Sequence, residues 1–423
     1  MTEEQSYRYG GLQHVFNPGI SVAEAAQRLR RFAYIEERMM RLFASRVVTI
    51  RERDIKVLLA RLQYEEAMHA DAWRERLAEL RVNKHKLEQV PDEALAVLFD
   101  EAEYLPGSYP FLLAVQQVLK SALVESYRTY LATTNGLADY PSVRILQHVL
   151  AEEEEHLRLL ALTLDSLQPS EEEERLAASW QTTLRRYLEA AGGMDGSAPR
   201  SKPIARLHSA NQTYHLPHEL MRDETLPRVW DYVVPSPQET QAYLNYMMGL
   251  RLSEINVAEG LAIVLFETSG MPWSFYRDIS RHCWDEMRHS LFGEAAIEST
   301  YGRRDALPMR DYEGIFVMEA SPLEQYAVLG LEVEGGNMKY PPGKRYEWEF
   351  ARDEARHPLM TTFQDFDWAD EVLHVNIARR QLDTWFEGGL KAIRPFAKRG
   401  REHRTQVKQR HEPVALPQPE PVS

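Results

Sequence analysis

Three observations predict an all-α fold for this chain. No run alternates apolar and polar residues over the length of a strand, whereas 21–47, 54–82, 111–134 and 142–167 carry apolar residues at helical spacing. Helix-start signals recur: "SVAE" (Ser21, Glu24), "SPQE" (Ser236, Glu239) and "SPLE" (Ser321, Glu324) each match a capping box, the last two with proline at the first helical position. A length of 423 residues exceeds what one hydrophobic core usually organises, so two helical domains in tandem are expected.

The four long stretches form the first domain, 1–191, closed by a fifth helix over 171–191. From "AAGGMDGSAPRSKP" to Pro235, glycine, proline and serine interrupt the periodicity, and 192–235 reads as an irregular linker. Helices resume at Ser236, near Pro272, at Ser321 and at Pro358, making 236–390 a second domain. Residues 391–423 turn basic and then proline-rich, the composition of a flexible tail.

Composition excludes several function classes. With 44% hydrophobic and 27% charged residues the chain reads as ordinary globular protein. No apolar run approaches the roughly 20 residues that span a bilayer, and "MTEEQSYRYGG" lacks a secretory signal, so no membrane role and a cytoplasmic location are expected. The single cysteine, Cys283, excludes an internal disulfide, a CxxC pair and a four-thiolate metal site. A net charge of −14, with basic residues gathered only near the end, argues against nucleic-acid binding.

One motif stands out against this background. Acid-acid-x-x-His occurs at Glu65-Glu66/His69, Glu152-Glu153/His156, Asp285-Glu286/His289, Asp353-Glu354/His357 and Asp370-Glu371/His374, where composition alone predicts about 0.3 occurrences. The fourth is set aside, because Pro358 disfavours helical geometry at His357. The other four are duplicated: Glu66 to Glu153 spans 87 residues and Glu286 to Glu371 spans 85, while Glu66 to Glu286 and Glu153 to Glu371 span 220 and 218.

Residues i and i+3 share a helix face, and here that face is the apolar one. Glu66 and His69 interrupt Ile55, Leu58, Leu62, Trp73, Leu77; Glu153 and His156 interrupt Leu146, Val149, Leu160, Leu164. Buried carboxylates without partners cost several kcal/mol or take up protons, so a cation is expected among them. Glu36 interrupts Leu29, Phe32, Met40, Phe43, and Glu125 interrupts Val115, Val118, Ala122, Thr129. They lie 30 and 28 residues before Glu66 and Glu153, a separation that suits helical hairpins. Four carboxylates against two divalent ions sum to zero charge.

This pattern resembles the ferritin-like diiron carboxylate superfamily, in which Glu, ExxH, Glu, ExxH come from four successive helices of a bundle. "EEAMH" and "EEEEH" resemble the versions in diiron amine oxygenases and rubrerythrins, "DEMRH" and "DEVLH" those of soluble methane monooxygenase hydroxylases. The resemblance implies two tandem four-helix bundles with ligands Glu36, Glu66, His69, Glu125, Glu153 and His156 in the first. In the second it implies Glu259, Glu286, His289, Glu334, Glu371 and His374, with Glu254 competing with Glu259, and Glu332 or Glu347 with Glu334. It also implies that Asp285 and Asp370, and the longer Glu65 and Glu152, orient the ligand histidines. The insertion "NMKYPPGKRYEWEFARDEARH" has no counterpart in the first half, so the second site is expected to depart from the first.

Oxygen-rich ligation with one histidine per ion suits iron, two per domain, or manganese. The expected activity is an oxygen-dependent oxidase or oxygenase acting on a small organic molecule by C–H hydroxylation, desaturation or amine N-oxygenation, with dioxygen as co-substrate. An external reductase or ferredoxin supplies electrons, and a homodimer is compatible with this reading. The alternatives are a ferroxidase or peroxide scavenger, and one catalytic domain fused to a structural relic.

Overall fold

The computed structural model describes residues 7–209 and 211–420, and it is all-α apart from the two-residue strands Arg228–Val229 and Met309–Arg310, which pair in parallel. The predicted helices form as Val22–Thr49, Arg53–Glu79, Tyr140–Ser166 and Glu171–Ala190. The predicted helix 111–134 runs from Ser108–Ala114 through a π-helical turn, Val115–Lys120, into Ser121–Thr133. A similar interruption occurs later, where Pro322–Ala327 passes through a π turn, Val328–Val333, into Glu334–Asn337. Between these lie Thr240–Leu252, Ile255–Glu267 and Trp273–Tyr301, and Pro358–Trp385 follows the insertion.

Side-chain caps explain several boundaries. Ser170 and Glu173 form a reciprocal capping box, and Ser321 accepts from the Glu324 amide. Ser236 behaves differently: its amide donates to Glu239 Oε2 at 3.2 Å, and the helix begins four residues later than expected, at Thr240. His357, the motif set aside, accepts from the Met360 amide at 3.1 Å and caps Pro358–Trp385, while Glu354 is exposed.

Two compact units emerge, 1–43 with 65–215 and 44–64 with 216–423. The expected first domain therefore lacks 44–64, whose charged groups pair in the second unit: Arg53 Nε donates to Glu294 Oε2 at 2.5 Å, and Gln63 Nε2 to the Ser280 carbonyl at 2.9 Å. Residues 192–215 and 216–235 likewise divide between the units. The basic stretch expected to be a flexible tail instead forms the helix Gly389–Lys408, which buries Ile393, Ala397, Gly400 and Val407 in the second unit. Small and apolar residues at helical spacing give it that inner face despite its basic outer one. Among the described residues no helix is long and apolar enough to cross a membrane.

Candidate metal centres

In the first unit, Glu36, Glu66, His69 and Glu153 present ligand atoms within 4.8 Å of one another, all buried. They arrive there on apolar faces: Glu36 sits among Leu29, Phe32, Met40 and Phe43, each inaccessible to solvent. His69 Nε2 donates to Glu152 Oε2 at 2.7 Å, which requires the proton on Nε2 and leaves Nδ1 facing Glu153 Oε1 at 3.4 Å and Glu36 Oε2 at 3.6 Å. His156 mirrors it, with Nε2 donating to Glu65 Oε2 at 2.6 Å. Tyr127 donates its hydroxyl to Glu36 Oε1.

The third helix departs from expectation. Glu125 is exposed and takes no part. Lys120, the last residue of the π turn, points inward instead and is wholly buried. Its ammonium donates to Glu66 Oε1, to Glu153 Oε1 at 2.6 Å and to His156 Nδ1 at 3.2 Å. The physical reason is register: each π turn inserts an extra residue, so the face extrapolated from Val115 and Val118 at 3.6 residues per turn misses the true one by about 100°. Leu123, Val124, Tyr127 and Tyr130 form the buried continuation.

The second unit gathers more donors. His282, Glu286, Glu334 and His374 form one cluster, and Glu254, His289, Asp367 and Glu371 another. Glu286 Oε1 lies 3.2 Å from His374 Nδ1 and 3.7 Å from His289 Nδ1, so it faces both. His282 Nε2 reaches Glu334 Oε1 at 2.8 Å, and its ring stacks on that of His374 at 3.8 Å between centroids. Asp285 and Asp370 accept across the pair as the resemblance implies, each 3.3 Å from Nε2 of His374 and His289 respectively. Burial opposes the charge of Asp285, but the hydrogen bond from His374 and then that from Arg281 Nε, 2.6 Å away, keep its carboxyl at about 2.

Glu259 is not part of this set; Glu254 takes the place assigned to it. The helical run breaks at Ser253, between Thr240–Leu252 and Ile255–Glu267, where its hydroxyl donates to the Gly249 carbonyl at 2.6 Å and accepts from the Arg310 amide at 2.9 Å. Glu254 thereby turns toward His289, 3.8 Å away, whereas both oxygens of Glu259 are bound by Lys56 and Arg222. Of the alternatives to Glu334, Glu332 pairs with Arg401 at 3.3 Å, and Glu347 accepts from Gln364 at 2.9 Å. The insertion adds Lys344, whose ammonium lies 2.9 Å from both Glu371 and Asp367; Arg251 meets Asp367 at 2.6 Å.

No family model, characterised protein or solved structure matches this chain. The donor atoms therefore carry the assignment alone. Glu36 Oε2, Glu66 Oε2, Glu153 Oε2 and His69 Nδ1 are buried without a hydrogen-bond partner in the first unit. So are Glu254 Oε2, Glu286 Oε1, Glu334 Oε2, Glu371 Oε2 and the Nδ1 atoms of His289 and His374 in the second. Leaving such atoms unsatisfied is costly, and a convergent set of carboxylate oxygens and imidazole nitrogens is what a metal ion satisfies. Burial and neighbouring carboxylates push Glu36 well up, Glu254 up to about 8 and Glu371 up to about 7, strain that a cation relieves. These clusters can hold metal.

Sequence reasoning missed His282 and Asp367, although each stands four residues before a predicted glutamate ligand and hence on its helix face. It missed Lys120 and Lys344 because a lysine is not a metal ligand at neutral pH and carries no such signal.

Proposed function

We propose that this chain is a duplicated ferritin-like protein whose second unit is a diiron oxidase or oxygenase for a small polar molecule. The observation that carries this reading is the pair of inward Nδ1 atoms of His289 and His374, both without partners, flanking Glu286. Two ions would fit there, one held by Glu254, His289 and Glu371, the other by His282, Glu334 and His374, with Glu286 facing each. When bound, iron in such a site supplies dioxygen reduction coupled to oxidation of an organic substrate.

The chain's own residues do the rest. Asp285 and Asp370 hold the ligand imidazoles in the Nε2–H form, so Nδ1 stays basic and aimed inward. A cavity of about 650 Å³ gives access to the site: Arg251, Glu254, Glu286, Glu334 and Glu371 line it, with exposed Lys339 at its edge. That volume is in the range of small-molecule sites. Six carboxylates (Glu254, Glu286, Glu334, Glu347, Asp367, Glu371), Arg251, Lys344 and two divalent ions sum to zero, so the site is neutral when both ions are bound. With a single buried cysteine the chain has no redox relay of its own, so an external donor supplies the two electrons an oxygenase reaction consumes.

Substrate-dependent oxygen uptake by the anaerobically iron-loaded chain, screened over small polar amines and acids, tests this reading. Uptake that needs only ferrous iron, whatever organic molecule is present, would instead establish a ferroxidase.

A further inference from the structure

We propose that the first unit holds a single divalent cation, with the Lys120 ammonium standing permanently where a second ion would sit. Three observations on this unit's own residues carry the inference, which does not depend on the chemistry assigned to the second unit.

First, the two histidines differ. His69 keeps an inward Nδ1 with no partner, while both ring nitrogens of His156 are engaged, Nδ1 by Lys120 at 3.2 Å and Nε2 by Glu65 at 2.6 Å. Only one imidazole is therefore available to an ion. Second, the free oxygens divide the same way. Lys120 takes Oε1 of both Glu66 and Glu153, and Tyr127 takes Oε1 of Glu36, leaving Oε2 of each carboxylate without a partner in the cluster that includes His69 Nδ1, where Glu36 Oε2 lies 3.6 Å from it. Third, the charges close. Three buried carboxylates, one ammonium and one divalent ion sum to zero, whereas a second divalent ion would leave +2 in a dry interior.

Lys344 of the second unit is not equivalent. It is added by the insertion beside a full set of carboxylates and leaves His289 and His374 free, whereas Lys120 replaces the carboxylate of the third helix. Three carboxylate oxygens and one imidazole suit Mn(II) or Fe(II) better than copper or structural zinc. An isolated ion of this kind, neutralised by a fixed ammonium, lacks the neighbour needed to share a two-electron reduction of dioxygen. The first unit is thereby assigned a structural or single-ion role.

The test is metal counting on the full chain reconstituted anaerobically with Mn(II). His69→Ala should lower the count by one equivalent relative to the unaltered chain, and His156→Ala should leave it unchanged. Lys120→Glu, which restores the fourth carboxylate, should raise the count by one, and it reads out independently should His69→Ala fail to fold. Loss of two equivalents with His69→Ala, loss of any with His156→Ala, or no gain with Lys120→Glu would each overturn the proposal.

Discussion

At the residue scale, the histidine of each of the four retained motifs is held by an acid from another motif's helix, one position before that helix's own glutamate. Glu152 serves His69, Glu65 serves His156, Asp370 serves His289 and Asp285 serves His374. Outer partners of this kind typically change metal affinity by about 10–100-fold. Asp285→Asn and Asp370→Asn should weaken metal binding in the second unit by that order in chelator competition; unchanged affinity would remove their orienting role. Two glutamates five residues apart make the complementary case. Glu254→Gln should lower the metal count of the second unit. Glu259→Gln should leave the count intact and destabilise the fold by about 3–5 kcal/mol, because it removes the charged partner that buried Lys56 and Arg222 share. Denaturant melts and metal analysis of both variants separate the two roles.

At the element scale, the long helices with a clear apolar stripe were legible in the sequence, whereas the places where the period changes and the basic closing helix were not. Glu36, Glu66, His69, Glu153 and His156 lie on uninterrupted helices, and the structure brings them together as the apolar stripes require. Glu125 and Glu259 were extrapolated across a π turn and a helix break, and both face elsewhere. The closing helix Gly389–Lys408 was obscured by its basic composition, yet its charges are specific. Burial opposes the charge of Glu313, but Arg310 and Arg404, the latter on that helix, hold its carboxyl down at about 2. A depressed carboxyl contributes its full stabilisation above its unfolded value of about 4.3 and loses it as pH falls through the folded one. Hydrogen exchange across 389–408 should therefore accelerate as pH drops from about 4.3 toward 2, after correction for intrinsic rates. Glu313→Gln should exchange faster already at neutral pH and flatten that dependence.

At the scale of the whole molecule, the two units set the repeated motif in different electrostatics: a lysine sits among three buried carboxylates and a histidine in one, while in the other a lysine and an arginine meet carboxylates beside three histidines. Ions bound at both places should stabilise the chain by mass action, about 4 kcal/mol for a site held at a thousandfold excess over its Kd. Chelation should lower Tm in calorimetry and Mn(II) or Fe(II) should restore it; a Tm indifferent to chelator would remove metal from the account of both units. The sequence by itself determined the all-α class and the repeated motif, because these depend on spacing within regular helices; which acid faces which histidine is decided between helices. Only the tertiary structure decided which carboxylates complete each centre, that lysines enter both, and that residues 44–64 pack with the second half. Such choices depend on where helices break or widen and on what neighbouring segments place in the space between them.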